Sequence, residues 1–364
     1  NINLLILNAS NNKLTKIDVS KNTKLYNLNV SNNQLTNLNV RNNEKLEYLY
    51  ANHNNLKELD ISNNILLKKI DINNNYIISL DTSNNPSLEK DIIIPYPKNK
   101  KFSDGIFYYR VVAAYNNENN TSFPYTANLT DEQLSSIKSV FCIDNEIFSL
   151  EGIQYLTNLT DLLVSSNQLT SLDVSNNVNL ESLYVDENKL TSLDVSNNAN
   201  LKSLKVSNNQ LTSLDVSNNV NLESLYVYEN ELTSLDVSNN ANLESLWISN
   251  NQLANLDVSN NANLKSLDVS RNQLTSLDVS NNASLKNLDV LNNQLTSLDV
   301  SNNTKLMELV VSGNQLTSLD TGNNINLTIL NASNNQLTSL DMGNNIDLTI
   351  LNASNNQLTS LDMG

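Results

Sequence analysis

Apolar and polar residues alternate along Leu201–Asn221. Leu204 and Val206 fall between Ser203, Lys205 and Ser207, and Leu214 and Val216 fall between Ser213, Asp215 and Ser217. A two-residue period marks extended backbone with one buried face. Leu201 and Leu211 add apolar anchors at the bends, and Asn-Asn pairs close both segments. The unit reads as one turn of a coil, with two short extended segments and two asparagine corners. A single turn cannot cover its own leucines. Stacked turns cover one another, with strands about 4.8 Å apart.

The unit recurs. Its first Leu or Ile falls at Leu4, Leu25, Leu46 and Leu67, then at Ile137, Leu159, Leu180, Leu201 and every 21 residues to Leu348. The one departure is the 22-residue step from Ile137 to Leu159. This is a leucine-rich repeat period. The expected fold is an α/β-solenoid, mostly β, with leucine-rich repeat arrays and a parallel β-sheet on the concave face. A two-sided parallel β-helix is the alternative, because both half-units look like strands.

Composition sharpens this picture. The chain has 364 residues but only 6 Gly and 4 Pro, so something else must turn it. Asparagine does: it tolerates left-handed backbone, and its amide can satisfy buried backbone groups of a neighbouring turn. The ninth place of the unit is Asn throughout, for example Asn167, Asn188, Asn209 and Asn230, and a second file includes Asn177, Asn198 and Asn219. Both are expected to be structural ladders. The net charge of −16 argues against nucleic acid or an anionic membrane surface as partner. No apolar run is long enough to span a membrane. One cysteine and one histidine leave no disulfide framework, cysteine zinc cluster or Ser-His-Asp triad. Cys142 stands at an inward sixth place and reads as a small buried hydrophobe.

Three segments follow: a first array at 1–94, an aromatic and proline-containing cap and linker at 95–128, and a capped second array at 129–364. "GIFYYRVVAAY" reads as a strand or hairpin sealing the first array. "TDEQ" at Thr130–Gln133 has capping-box spacing and predicts a short helix through Ser136. The chain opens and closes inside a repeat, so it is expected to be a fragment of a longer array.

The unit "FSLEGIQYLTNLTDLLVSSNQLTSL", followed by 21-residue units carrying "LTSLDVSNN", resembles the internalin-type leucine-rich repeat proteins of bacteria. The resemblance covers about 300 residues (Ile137 onward and the first array). It implies an extracellular, surface-attached or secreted array that binds molecules of a host or neighbouring cell. The family places cysteine at the sixth place of many repeats, whereas here only Cys142 does so.

Most outward strand positions are bland. The exception is contiguous. The fifth place reads Tyr184, Lys205, Tyr226 and Trp247; the seventh reads Asp186, Ser207, Tyr228 and Ser249; the eighth reads Glu187, Asn208, Glu229 and Asn250. Stacking sets these side by side over roughly 15 Å. Exposed aromatics flanked by acids suit an interface hot spot or a platform for sugar rings; aromatic residues also simply suit strand surfaces. The candidate ligand-binding residues are Tyr184, Asp186, Glu187, Lys205, Tyr226, Tyr228, Glu229 and Trp247. A smaller candidate is Tyr26, Tyr48, Tyr50 and His53.

The variable half carries a file of aspartates, Asp173, Asp194, Asp215, Asp236 and onward to Asp362. Neighbouring hydroxyls can donate to them. Calcium bridging is the sharper alternative, and a water-ordering, ice-binding face a remote one. No cofactor is expected otherwise. No nucleophile–base pair, metal cluster or phosphate-binding loop appears, so the chain reads as a non-enzyme. The leading expectation is an adhesin-like protein, recognising a protein or glycan through its concave face. The competing one is a structural spacer presenting another domain.

Overall fold

The computed structural model describes residues 1–77, 79–88 and 100–363. The residues separate into two compact units: 1–137 with 147–153, and 138–146 with 154–364. The stretch around Pro95 and Pro97, expected to be linker, lies outside the described residues.

In the first unit, β1 (Ile6–Asn8), β2 (Asn27–Asn29), β3 (Tyr48–Tyr50) and β4 (Lys69–Asp71) form a parallel sheet in chain order. The segment expected to be a strand or hairpin is instead helix α1 (Gly105–Asn119). Aromatic and β-branched composition suggested a strand, but Phe107, Tyr108, Val111 and Val112 recur at helical spacing and are the buried ones. Asp104 starts the helix by accepting the N–H groups of Ile106 (2.9 Å) and Phe107 (3.0 Å), and its other carboxylate oxygen takes the Phe148 N–H at 3.0 Å. Gly152, at φ +108°, lies so close to the Phe102 ring that a Cβ would fall 2.3 Å from it. Helix α2 (Asp131–Ser136) carries the expected capping box: Thr130 Oγ1 accepts the Gln133 N–H, and Gln133 Oε1 accepts the Thr130 N–H.

The second unit holds an eleven-stranded parallel sheet. Its strands are β5 (Ser139–Phe141), β6 (Asp161–Leu163), β7 (Ser182–Tyr184), β8 (Ser203–Lys205), β9 (Ser224–Tyr226), β10 (Ser245–Trp247), β11 (Ser266–Asp268), β12 (Asn287–Asp289), β13 (Glu308–Val310), β14 (Ile329–Asn331) and β16 (Ile350–Asn352). Each strand is the third to fifth place of a rung, and neighbouring strands pair in register 21 residues apart, as Leu204 with Leu225, except β5 with β6 at 22. Inward residues such as Leu204, Val206, Leu211, Val216 and Cys142 are buried, forming the core between the two halves of the coil. The variable half does not build a second sheet. It pairs only as β15 (Ser339–Asp341) with β17 (Ser360–Asp362) and at one Asp173–Asp194 bridge. Within each rung the aspartate side chain turns back on its own chain, Asp194 Oδ1 taking the Ser196 N–H at 2.9 Å. The architecture is a leucine-rich repeat solenoid rather than a two-sided β-helix.

The asparagine ladders do the work that glycine and proline do elsewhere. Asn230 Oδ1 accepts the Leu211 N–H of the preceding rung at 2.9 Å, and its Nδ2 donates to Val206 O at 3.0 Å and Val227 O at 3.2 Å. In the second ladder Asn240 Nδ2 donates to Val216 O (3.0 Å) and Asn219 O (2.9 Å), but its buried Oδ1 has no partner. Only one corner is left-handed. The eighth place has φ between 51° and 58° in Asn208, Asn250 and Asn292 alike, and also in His53, Glu187, Glu229 and Arg271.

Candidate ligand-binding face

Because the rungs stack in register, the fifth-place side chains form one file: Tyr184 lies beside Lys205, Lys205 beside Tyr226, and Tyr226 beside Trp247. Alternation turns all four to the same outward face, since the fourth and sixth places between them are committed to the core. The Lys205 ammonium sits 4.3 Å from the centre of the Tyr184 ring and 5.2 Å from that of Tyr226. Both distances fall within cation–π range. Tyr226 then meets Trp247 edge to face, with ring centres 4.9 Å apart and planes at 89°. The Trp247 indole N–H donates to Ser266 Oγ at 3.0 Å, which pins the ring across β10 and β11. Tyr184, Lys205 and Tyr226 are half-buried against one another, whereas Trp247 remains 39% exposed. The file is therefore a rigid ridge that ends in one accessible indole.

The seventh and eighth places border this ridge. Asp186 bridges rungs: Oδ1 accepts the Ser207 N–H at 3.1 Å and Oδ2 accepts the Ser165 hydroxyl at 3.2 Å. Burial still pushes its carboxyl above the usual range. Tyr228 is raised as well, first by burial and then by the Asp186 charge. Glu187 and Glu229 are exposed and sit on left-handed backbone, and Glu187 Oε2 accepts the Ser166 hydroxyl at 2.8 Å. Of the eight residues expected at the candidate site, Tyr184, Lys205, Tyr226 and Trp247 lie in β7–β10, and Asp186, Glu187, Tyr228 and Glu229 lie in the segments that follow β7 and β9.

One part of the face was missed in the sequence. Beyond Trp247 the fifth-place file continues with Asp268 and Asp289, and the third place brings Asn287 and Glu308. Together with Trp247 they line a cleft of about 190 Å³. Burial pushes the Asp289 carboxyl up to about 6. That value already includes the opposing Leu291 N–H, the raising charges of Asp268 and Glu308, and the lowering charge of Arg271. The signal was present in the same column that revealed the aromatics, but aspartate there looked like ordinary surface.

The smaller candidate in the first unit does not form a comparable ridge. Tyr50 has Lys69 Nζ at 6.0 Å from its ring centre. His53 instead packs edge-on against Phe148, with ring centres 4.4 Å apart, and its ring nitrogens lie 3.2 Å from Asn52 Nδ2 and 3.1 Å from Asn74 Nδ2. In the aspartate file of the variable half, the carboxyls of Asp194, Asp215 and Asp236 are held low by the hydroxyl and then the N–H of the serine two residues on. Among the described residues, no group of three or more His, Cys, Asp or Glu is arranged to hold a metal ion, and no helix is long and apolar enough to cross a membrane.

Comparison with known proteins agrees with the repeat fold. Residues 263–285 match the family model described as Leucine Rich Repeat. Internalin J of Listeria monocytogenes serotype 4b (strain F2365) is 38% identical over 79 residues, which are 22% of this chain and 8% of the relative. The solved functional domain of internalin J from Listeria monocytogenes superposes with a TM-score of 0.55 at 27% identity, covering 98% of this chain and 64% of that one. A leucine-rich repeat protein of Leptospira interrogans gives a TM-score of 0.54 at 25% identity, covering 99% and 80%. The chain thus spans less than two thirds of the internalin J structure, and the matched segment is a small part of the full relative. The internalin J domain is described as including a cysteine ladder. Here the sixth-place file opens with Cys142 and continues with Val164, Val185, Val206 and Val227, all buried. Leucine-rich repeat arrays of this type are binding scaffolds rather than an enzyme family.

Proposed function

We propose that this chain, an internalin-type leucine-rich repeat protein, is a bacterial surface or secreted adhesin-like protein. It would capture a protein or glycan of a host or neighbouring cell on the sheet face of its second unit. The observation that carries the reading is the ridge Tyr184–Lys205–Tyr226–Trp247. The fifth-place file departs from Ser, Asn and Asp in consecutive rungs from Phe141 and Leu163 through Trp247, and the four members from Tyr184 onward brace one another before any partner arrives. A pre-braced aromatic anchor loses little side-chain freedom on binding, which is what a hot spot requires. The acidic border and the net charge of −16 favour a partner that is not polyanionic.

The test is binding to cells and to arrayed proteins and glycans by the parent chain and by Tyr226→Ala combined with Trp247→Ala. Loss of two central aromatic anchors should weaken binding by at least about tenfold. Binding that persists unchanged would place recognition elsewhere. No binding by the parent would favour a spacer that presents another domain.

A further inference from the structure

We propose that the cleft beside Trp247 on the sheet face receives an arginine side chain of a protein partner; the inference rests on the reading of this face as the binding surface and narrows the partner's chemistry. The argument begins with what the ridge leaves free. Lys205 occupies the space between the Tyr184 and Tyr226 rings, and Tyr226 is met on its other side by Trp247. Those rings are therefore poorly placed to stack on a neutral sugar. The exposed indole is the remaining platform, and it is fixed by its hydrogen bond to Ser266. An indole held against a cleft suits a planar cation, because guanidinium groups stack on aromatic faces more readily than ammonium groups do.

The far side of the cleft supplies the charge. Asp268 and Asp289 are direct cross-strand partners, and Asn287 pairs in the same way with Glu308. Like charges opposite each other weaken a sheet. Asp268 Oδ1 accepts the Ser270 N–H at 2.9 Å and Asp289 Oδ1 accepts the Leu291 N–H at 2.8 Å, while Asn287 Nδ2 donates to Glu308 Oε2 at 3.0 Å. These bonds orient the carboxylates without neutralising them. The basic side chain whose charge registers at Asp289 is Arg271, on the left-handed eighth place, and it does not cancel the push from burial and the two neighbouring carboxylates. A guest guanidinium would supply the missing positive charge, donate to the planar carboxylates in pairs, and lie against the indole at once. The cleft volume of about 190 Å³ accommodates a side-chain tip rather than a folded domain. The rest of the partner would lie along the ridge.

Trp247 is the only tryptophan in the chain, so its fluorescence reports on this cleft alone. The experiment titrates the full chain with a hexa-arginine amide peptide, a hexa-lysine amide and a neutral oligosaccharide series. Expected is a saturable change in Trp247 emission with hexa-arginine, several-fold weaker with hexa-lysine, and none with the sugars. Asp268→Asn with Asp289→Asn should weaken hexa-arginine binding at least tenfold. Asp194→Asn with Asp215→Asn removes the same charge from the variable half and should change it less than twofold. Equal losses in the two variants would reduce the effect to net charge and overturn the proposal. So would a response to neutral sugars that survives the Asp268 and Asp289 changes, an outcome that keeps the ridge as a binding face while assigning it to glycan. Absence of any saturable signal, with partner binding still lost in the Tyr226→Ala and Trp247→Ala variant, overturns the arginine site and leaves the broader reading standing.

Discussion

The two asparagine ladders look alike in sequence but not in their hydrogen bonding, and alanine substitution should separate them. Asn230 belongs to the first ladder. Its Oδ1 takes the Leu211 N–H, and its Nδ2 serves Val206 O, Val227 O and, at 3.3 Å, Tyr228 O. Asn230→Ala leaves the buried Leu211 N–H without a partner, whereas Val206 O keeps Asn209 Nδ2, Val227 O keeps Asn251 Nδ2 and Tyr228 O keeps the Asn208 N–H. One orphaned buried donor costs about 1–3 kcal/mol and the lost bonds to carbonyls add to it, so the loss is about 2–4 kcal/mol. Asn240 belongs to the second ladder. Its Nδ2 serves two carbonyls, but its Oδ1 is already unpaired. Asn240→Ala orphans nothing, because Val216 O keeps the Asn219 N–H and Asn219 O keeps the Leu222 N–H, and it removes an unpaired oxygen, so its net cost is about 0.5–1.5 kcal/mol. Urea unfolding followed by circular dichroism and by Trp247 fluorescence measures both. The midpoint for Asn230→Ala should lie clearly below that for Asn240→Ala. Equal midpoints, or the reverse order, would refute the claim that partner satisfaction sets the value of each ladder.

Three further outcomes follow from the same structure. Thr321 Oγ1 donates to Asn345 Oδ1 at 3.2 Å, supplying the partner that Asn240 Oδ1 lacks. Val216→Thr should do the same for Asn240 and leave stability unchanged or higher, whereas Val185→Thr, at a sixth place, should cost about 1–3 kcal/mol; matched urea melts compare them. Glu229 sits at φ 54°, so Glu229→Asn should raise stability by about 0.5–1 kcal/mol, read as an upward shift in melting temperature. The Asp289 carboxyl is pushed up to about 6 in the folded chain, above its unfolded value. Its ionised form therefore weighs against the fold above pH 6, and the penalty lifts as pH falls from about 6 to about 4. After solvent screening, Asp289→Asn should stabilise by about 1–2 kcal/mol at pH 7.5 and by almost nothing at pH 4, as urea melts at the two values would show.

Much of this molecule was legible before any coordinates. Leu204 and Val206 announced the strand face, Asn188 and Asn198 the ladders, and the column Tyr184, Lys205, Tyr226, Trp247 the ridge, because a fixed period converts spacing in sequence into adjacency in space. What escaped has physical reasons. Helix α1 was read as a strand because Tyr109, Val111 and Val112 favour extended backbone in isolation. The Asp104 cap and the burial of Phe107, Tyr108, Val111 and Val112 on one side override that preference. The variable half was expected to be as strand-like as the first half, yet among the described residues of the second unit it pairs across rungs only at β15 with β17 and at the Asp173–Asp194 bridge. The two Asn-Asn corners looked equivalent, but only the eighth place is left-handed, so Glu187, Glu229 and Arg271 occupy a conformation that favours Asn or Gly. The acidic cleft was missed because Asp268 and Asp289 resemble the aspartates of the opposite half, and only register shows that they face Trp247 rather than solvent alone.

Site-specific photo-crosslinking tests the central claim most directly. Photoreactive benzoylphenylalanine in place of Tyr184 or Tyr226, within the ridge, and in place of Asp215, in the variable half, would be exposed to partner cells under light. Crosslinked partner from positions 184 and 226 and none from 215 is the predicted result. Capture from 215 alone, or retained binding with no capture at 184 or 226, would contradict a sheet-face binding site.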